Sequence, residues 1–185
     1  ILGGDVSIRL IHREASAEER AYLGERAAVS ASAEMRGMAR NAAADAARGQ
    51  TLVELKAVDN AYPLYGAMAL SPEIPFDEAI AIRGGVPGLV VEPNLLSRLG
   101  VEVGDFVRIG DTDFELRATI VREPDRVSDG FALGPRAMIS WEALEATGLV
   151  QPGSLIQYHY RIRLPDAARS SADISAWVAD LNARF

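Results

Sequence analysis

Residues 89–121, LVVEPNLLSRLGVEVGDFVRIGDTDFELRATIV, decide how the middle of the chain is built. The sequence LLSRL predicts a short helix that Asn94 caps and Gly100 ends. Glycine–aspartate pairs at 104–105 and 110–111 predict two tight turns, because glycine adopts the backbone angles that such turns need and aspartate bonds its own backbone there. The turns precede two predicted strands, at 106–109 and 114–120. The middle of the chain is therefore a compact, strand-rich module that contains a helix.

Strand and helix patterns flank this module on both sides. Before it, apolar residues alternate from Val6 to Leu10, a capping box formed by Ser16 and Glu19 opens a helix, and strands follow at 28–40 and 51–58. The two strands are expected to pair across a loop at 41–50. After it, a half-buried strand at 156–164 ends at Pro165, and Ser170 and Asp173 open an amphipathic helix. The pattern predicts an α+β fold in which a split strand–helix domain carries an inserted, strand-rich α/β subdomain.

The second half of the inserted module is predicted to hold a charged loop at 123–130 and a short strand at 137–139. Ser140 is expected to cap the helix WEALEAT, which Gly148 ends. Glycines at 84, 85 and 88 resemble a phosphate-binding loop only loosely, since Pro87 interrupts them and a strand-like sequence follows where a helix N-terminus would be needed. We interpret them as a hinge between subdomains.

Composition excludes several functional classes. The 185-residue chain has a net charge of −7, which argues against a nucleic-acid-binding surface or a basic membrane patch. It contains no cysteine, so disulfides, thiolate metal sites and cysteine nucleophiles are excluded. Lys56 is the only lysine among 19 basic residues, and we interpret this as a compositional habit without functional weight.

The sequence carries no recognisable catalytic or metal-binding constellation. There is no G-x-S-x-G motif, and the two histidines, His12 and His159, fall on the outward faces of predicted strands. Asp111, Asp113 and Glu115 imitate the start of a calcium loop, but the alternating Phe114 and Leu116 indicate a hairpin with one solvated face. We therefore predict no catalytic residue, no cofactor and no metal site.

Two alternatives remain open from the residues alone. In LLSRLGVEVGDFVRI a short helix is followed by a glycine, the pair GD and a strand, a pattern that also occurs in double-psi barrels. A small soluble enzyme or ligand-binding domain of that type is therefore the alternative hypothesis. Tyr62, Leu64 and Tyr65 lie in a non-periodic stretch rich in proline and glycine. These three side chains either pack over a sheet edge or form an exposed contact for a partner or an apolar ligand.

Four stretches together carry a family resemblance, and in order they are GGDVSIRLIHREASAEERAYL, LVELKAVDNAYPLYGAMALSP, GLVVEPNLLSRLGVEVGDFVRIGDTDFELRATI and YRIRLP. With them, the chain resembles the extracytoplasmic, MacB-like periplasmic core domain of ABC transporter permeases of the MacB/FtsX superfamily, in particular the YbbP-type permeases. The resemblance implies a porter-like subdomain from residues 1–75 and 154–185, with a Sabre-like subdomain inserted at 76–153.

The resemblance also implies a functional context. Transmembrane helices would precede and follow the domain, which would place it on the periplasmic face of a bacterial inner membrane. A separate cytoplasmic ATPase subunit would hydrolyse ATP. The domain itself would be non-catalytic, and it would handle or sense a hydrophobic or lipid-like substrate, or transmit ATP-driven motion to a periplasmic partner.

Overall fold

The computed structural model describes residues 3–43, 49–126 and 134–184, and within them the chain has the predicted mixed α+β fold. The strands are β1 (Val6–Ile11), β2 (Ala28–Asn41), β3 (Gln50–Val58), β4 (Ala69–Ser71), β5 (Ile82–Arg83), β6 (Val86–Val91), β7 (Phe106–Ile109), β8 (Thr112–Arg122), β9 (Arg136–Ser140) and β10 (Gln157–Arg163). The helices are α1 (Ala17–Arg26), α2 (Phe76–Ile80), α3 (Asn94–Leu99), α4 (Trp141–Ala146) and α5 (Ser171–Arg184), with a short 3-10 helix at Asp166–Ala168.

Local sequence signals account for the flanking elements. The Ser16 hydroxyl accepts a hydrogen bond from the Glu19 amide at 3.1 Å, and the Glu19 carboxylate accepts one from the Ser16 amide at 2.6 Å, so the predicted capping box opens α1. The same reciprocal pair between Ser170 and Asp173 precedes α5. Strands β2 and β3 pair antiparallel, as the sequence predicted.

Six of the strands form a closed ring. The antiparallel pair β2–β3 continues through a parallel pairing of β3 with β9, and β9 pairs antiparallel with β6. Strand β6 pairs in parallel with β8, β8 with β7, and β7 returns to β2 through residues 39–41. Closure satisfies the backbone groups that an open sheet leaves unpaired at its edges. Strands β10 and β1 extend the sheet outward from β2.

Side-chain alternation fills the interior of this ring with apolar groups. Each of the six strands contributes fully buried residues to one hydrophobic core, among them Ala39, Leu55, Ile139, Leu89, Phe114 and Ile109. Leu95 and Leu99 of α3 belong to the same core, so the helix predicted within residues 89–121 packs against the ring. A second cluster joins α2 to the outer side of β9 through residues such as Ile80 and Met138.

A third cluster attaches the two longest helices to the outer strands. Ile162 of β10 and Leu23 of α1 are buried there. The predicted apolar stripe of α5, which comprises Ile174, Trp177, Val178 and Leu181, packs against this cluster. The strand–helix units at the two ends of the chain therefore share one core.

Several local predictions need correction or lie beyond the described residues. Asn94 is the first residue of helix α3 and does not cap it, contrary to the prediction. The N-cap position is Pro93, which has helical backbone angles, and no side chain caps the helix. Ser140 is the N-cap residue of α4, but its hydroxyl forms no capping hydrogen bond. Gly84 and Gly85 form the tight turn between β5 and β6. Part of each loop predicted at 41–50 and 123–130 lies outside the described ranges, as do residues 1, 2 and 185.

Strands on both sides of the expected subdomain boundaries pair with one another. Strand β3 pairs with β9, and β2 pairs with β7, across the divisions at 75/76 and 153/154. The assignment of residues 76–153 to a separate subdomain therefore stays a prediction about how the chain divides, while the hydrogen-bonded sheet is continuous.

We expect opposite effects from one substitution at two glycines. A Cβ atom at Gly88 would lie 2.0 Å from the Ala79 carbonyl oxygen, so Gly88→Ala should lower the free energy of unfolding by about 1–3 kcal/mol. Gly24, in α1, has no neighbouring atom within 4 Å of that position, so Gly24→Ala should raise it by about 0.5–1 kcal/mol. Urea denaturation of both variants measures these changes. A loss of stability at Gly24, or none at Gly88, would contradict the packing described.

Candidate functional site

The segment that contains Tyr62, Leu64 and Tyr65 crosses the polar outer side of β3 after that strand ends at Val58. Its three candidate residues have different environments. Tyr62 is 9% exposed and belongs to the cluster around α2, whereas Leu64 and Tyr65 are partly exposed. Of the two interpretations left open by the sequence, packing over the sheet applies to Tyr62. Contact of Leu64 and Tyr65 with a partner stays a prediction.

The Tyr62 hydroxyl lies inside a buried charged cluster. It donates a short hydrogen bond to the Asp125 carboxylate and accepts one from the Lys56 ammonium at 3.2 Å. The Tyr62 ring packs against Phe76 with 5.8 Å between ring centroids, and the Lys56 nitrogen lies 4.5 Å from the Tyr62 centroid. Burial and then the negative charge of Asp125 raise the pKa of Tyr62, so the phenol is a donor throughout the physiological pH range.

Lys56 is the centre of this cluster. Its side chain is 2% exposed, and its ammonium lies 2.8 Å from Glu123 and 2.9 Å from Asp125, whose side chains are 1% and 4% exposed. A lone buried ammonium would be strongly destabilising, but two carboxylates and a phenol satisfy this one. The pairs join the middle of β3 to the segment that follows β8.

Arg136, at the start of β9, completes the cluster. Its guanidinium lies 3.3 Å from Glu123 and 3.6 Å from Glu34 of β2. Burial would lower the pKa of Arg136, but the surrounding carboxylates raise it above its ordinary value. Burial would likewise raise the pKa of Asp125, but Lys56 and the hydrogen bond from Tyr62 hold it below its ordinary value. Ionised Asp125 therefore stabilises the fold above the ordinary carboxyl pKa, and this contribution is lost as the pH falls.

Tyr65 has a separate set of contacts near the start of β1. Its hydroxyl donates to both carboxylate oxygens of Asp5 at 3.1 Å. The guanidinium groups of Arg163 and Arg169 lie 5.8 Å and 5.9 Å from its ring centroid, within the range of cation–π attraction. Tyr65, Asp5 and Arg169 line a shallow surface depression of about 530 Å³ together with Gly66 and Pro124.

A close backbone approach joins the two halves of the site. Gly66 has a positive φ of 75°, and a Cβ atom there would lie 2.8 Å from the Pro124 side chain. Only glycine combines that angle with so short a distance. Residues 62–66 and 123–125 are therefore held against each other, with Tyr62 facing inward and Tyr65 facing the surface.

The other candidate motifs have structural contacts. Asp113 pairs with Arg108 across the β7–β8 hairpin at 2.6 Å. His12 follows β1, and its ring lies 3.0 Å from the Ser154 carbonyl oxygen. Burial lowers the pKa of His159, which lies within β10. Within residues 3–43, 49–126 and 134–184, no three histidine, aspartate or glutamate side chains converge closely enough to hold a metal ion.

Sequence reasoning missed most of the buried cluster. Lys56 received no weight as the only lysine, Glu123 and Asp125 fall in the predicted charged loop, and Arg136 has no predicted role. One signal was available, because a lysine inside the apolar run LVELKAV must face either solvent or a buried counter-charge. Which acids supply that charge depends on long-range strand pairing.

Comparison with known proteins gives the context of this site. No protein-family model matches the chain. The chain is 29% identical over 110 residues to the uncharacterized ABC transporter permease YbbP of Escherichia coli (strain K12), a match that covers 60% of the chain and 13% of that permease. The chain thus spans a small part of the length of this relative.

Two solved structures have a similar fold. The extracellular domain of the noncanonic ABC-type transporter YknZ from Gram-positive bacteria matches with a TM-score of 0.56 and 11% identity, covering 96% of this chain and 95% of that domain. The periplasmic region of MacB from Actinobacillus actinomycetemcomitans matches with a TM-score of 0.54 and 10% identity, covering 97% of this chain and 83% of that region. At such low identity these matches establish the fold alone.

The chain has the fold of the extracytoplasmic domains of the ABC-type transporters YknZ and MacB. In sequence it is similar to part of the YbbP permease, so both comparisons support the resemblance to MacB-like domains of YbbP-type permeases. Among its described residues, no helix has both the length and the apolar character needed to cross a bilayer.

Replacing Lys56 tests the energetic role of the buried cluster. Lys56→Met should lower the free energy of unfolding by about 3–5 kcal/mol, because Glu123 and Asp125 would lose their buried counter-charge. The matched control is Arg83→Met, whose ion pair with Glu78 is exposed and should contribute less than about 1 kcal/mol. Denaturant titration at neutral pH compares the two. Equal, small losses would show that the cluster does not hold residues 123–125 to the sheet.

Proposed function

We propose that this chain is the non-catalytic extracytoplasmic domain of an ABC transporter permease at the periplasmic face of an inner membrane. In this role a separate cytoplasmic ATPase subunit hydrolyses ATP, and the domain takes part in the resulting movement outside the membrane. The observation that supports the proposal is the fold match, which covers 96% and 97% of this chain, to extracytoplasmic domains of two ABC-type transporters.

The continuity of the sheet favours transmission of motion. Residues 1–75 and 154–185 would form the porter-like subdomain and residues 76–153 the Sabre-like one. Strand pairs β3–β9 and β2–β7 cross between them, and the Lys56 cluster ties residues 123–125 to β3. A movement applied to one part would therefore reach the other through hydrogen bonds and buried ion pairs.

A groove with a partly apolar lining favours a hydrophobic or lipid-like substrate. It has a volume of about 620 Å³. Its apolar part is formed by Ile11, Met35, Leu149 and Leu155, and Glu34, Arg36 and Glu54 also line it. Leu155 is 80% exposed and Ile11 is 52% exposed, so the groove presents neighbouring large apolar side chains to solvent. An acyl chain or another apolar group would cover surface that water contacts in the free domain.

Leu64 and Tyr65 are the residues proposed to contact a periplasmic partner. Both are partly exposed, and they lie beside the surface depression formed by Asp5 and Arg169. Tyr62, on the same segment, would support this contact indirectly, because its buried hydroxyl fixes the start of the segment.

Thiol labelling tests the extracytoplasmic location. The chain has no cysteine, so Ser175→Cys, on the exposed side of α5, adds one label site to this domain. In a full-length permease with its other cysteines replaced, a membrane-impermeant maleimide should label this site in cells with a permeabilised outer membrane and an intact inner membrane. Labelling only after the inner membrane is lysed would contradict the proposal and favour the soluble double-psi-type alternative.

Site-specific photo-crosslinking tests the contact residues. A photoreactive amino acid at position 64 or 65 of the full-length permease should give a discrete adduct with a periplasmic protein, because both side chains reach the surface. The same group at Ser175 is the matched control, since that position is exposed on α5 and does not line the depression beside Tyr65. Equal adducts at all three positions, or none at 64 and 65, would remove these residues from the interface.

A further inference from the structure

A pocket of about 220 Å³ lies where two neighbouring parallel strands end. Strands β3 and β9 are paired in register up to Val58 and Ser140, so the segments that leave them emerge side by side. Helix α2 closes the pocket from a third direction through Phe76 and Asp77. The carboxyl ends of adjacent parallel strands are a frequent location of ligand sites in mixed folds.

The pocket is strongly acidic. Three carboxylates line it, those of Asp59, Asp77 and Glu142, and no lining residue among those described is basic. Asp59 is fixed in place, since it accepts hydrogen bonds from the Ser30 hydroxyl at 2.9 Å and the Ala31 amide at 2.7 Å. Asp77 and Glu142 are exposed, and neither forms an ion pair with another described residue. The ligand that fits this charge is a cation.

A buried hydroxyl gives the pocket a polar group that the folded chain itself does not use. Ser140 is 9% exposed, and its hydroxyl oxygen has no hydrogen-bond partner among the described residues. The alternation of β9 places this side chain on the same face as Met138, which packs in the cluster with Tyr62 and Ile80 beside the pocket. A buried hydroxyl without a partner is destabilising, and a donor bound in the pocket would satisfy it.

The remaining wall selects the kind of cation. Within the described part of the chain, no three acidic or histidine side chains converge as a metal site requires, which disfavours a bare metal ion. The rings of Tyr62 and Phe76 and the side chains of Ile80 and Ile82 supply an apolar lining. The volume is below the roughly 300–1,000 Å³ of pockets for drug-sized molecules, so the ligand is small.

We propose that this pocket binds a small primary alkylammonium group, with its short carbon chain against Tyr62, Phe76 and Ile80. The ammonium would donate hydrogen bonds to Ser140 and to the carboxylates of Asp77 and Glu142. The ligand is either a free aliphatic amine or the side chain of a lysine. This site is independent of the permease assignment, because it rests on residues of the isolated domain alone.

If the two exposed acids, Asp77 and Glu142, serve only to stabilise their helices, the expected result is different. Asp77 and Glu142 lie in the first turns of α2 and α4, where a negative charge favours a helix. In that case their removal would change helix stability and leave amine binding untouched. Two acids on the same helices that do not line the pocket, Glu78 and Glu145, provide matched controls.

The test is a titration of the 185-residue chain with amines, in which ¹⁵N–¹H correlation spectra record the amide shifts at each concentration. n-Butylammonium should shift the amides of residues 59–62, 76–82 and 140–142 with a Kd of about 1 mM, while n-butanol, of the same shape but uncharged, should bind at least about tenfold more weakly. Asp77→Asn and Glu142→Gln should each weaken binding about three- to fivefold, and Glu78→Gln and Glu145→Gln should not change it.

Ser140→Ala gives the sharpest discrimination. Since this hydroxyl forms no hydrogen bond in the free protein, the variant should keep its stability and lose about fivefold in butylammonium affinity. Tighter binding of N-acetyl-lysine amide than of butylammonium would identify a lysine side chain as the source of the amine, and weaker binding a free amine. Equal binding of butanol and butylammonium, or unchanged affinity in the Asp77, Glu142 and Ser140 variants, would overturn the proposal.

Discussion

The parallel pairing of β3 with β9 is the constraint on which the rest of the structure depends. It joins strands that are almost 80 residues apart in the sequence and closes the six-stranded ring around one apolar core. The same register places Glu54 opposite Arg136 and Lys56 opposite Met138, so the charged side of β3 meets the start of β9. It also brings Val58 beside Ser140, which creates the acidic pocket where the two strands end.

The charged cluster beside this pairing combines a high desolvation free energy with a specific geometry. Removing Lys56, Glu123 and Asp125 from water is unfavourable, and their mutual attraction compensates only because each group finds a partner at short range. An apolar core could replace it energetically, but it would not fix the position of residues 123–125 and of Tyr62 so narrowly. For a domain proposed to transmit movement, that directional connection between distant segments is a physical reason to retain buried charge.

The surface carries three regions of different chemistry on this rigid frame. The depression beside Tyr65 combines aromatic and cationic groups, the groove at Ile11 and Leu155 has an apolar part, and the pocket at Ser140 is acidic. Each depends on elements that are far apart in the sequence. In the proposed role as a permease domain, separate regions would allow contact with a partner and with a substrate at different places.

The sequence by itself determined the local elements and carried the resemblance to MacB-like permease domains. Alternating apolar residues defined β1, β2, β3 and β10, and the boxes at Ser16 and Ser170 defined the starts of α1 and α5, because these signals depend on neighbours within a few residues. Only the tertiary structure decided that Tyr62 is buried, that Lys56 is the centre of a charged cluster and that Ser140 lies in a pocket. These outcomes depend on segments far apart in the chain, since Glu123 and Asp125 follow β8 and Ser140 ends β9. A lysine or serine has the same local pattern whether it faces water or a counter-charge brought from a distant segment.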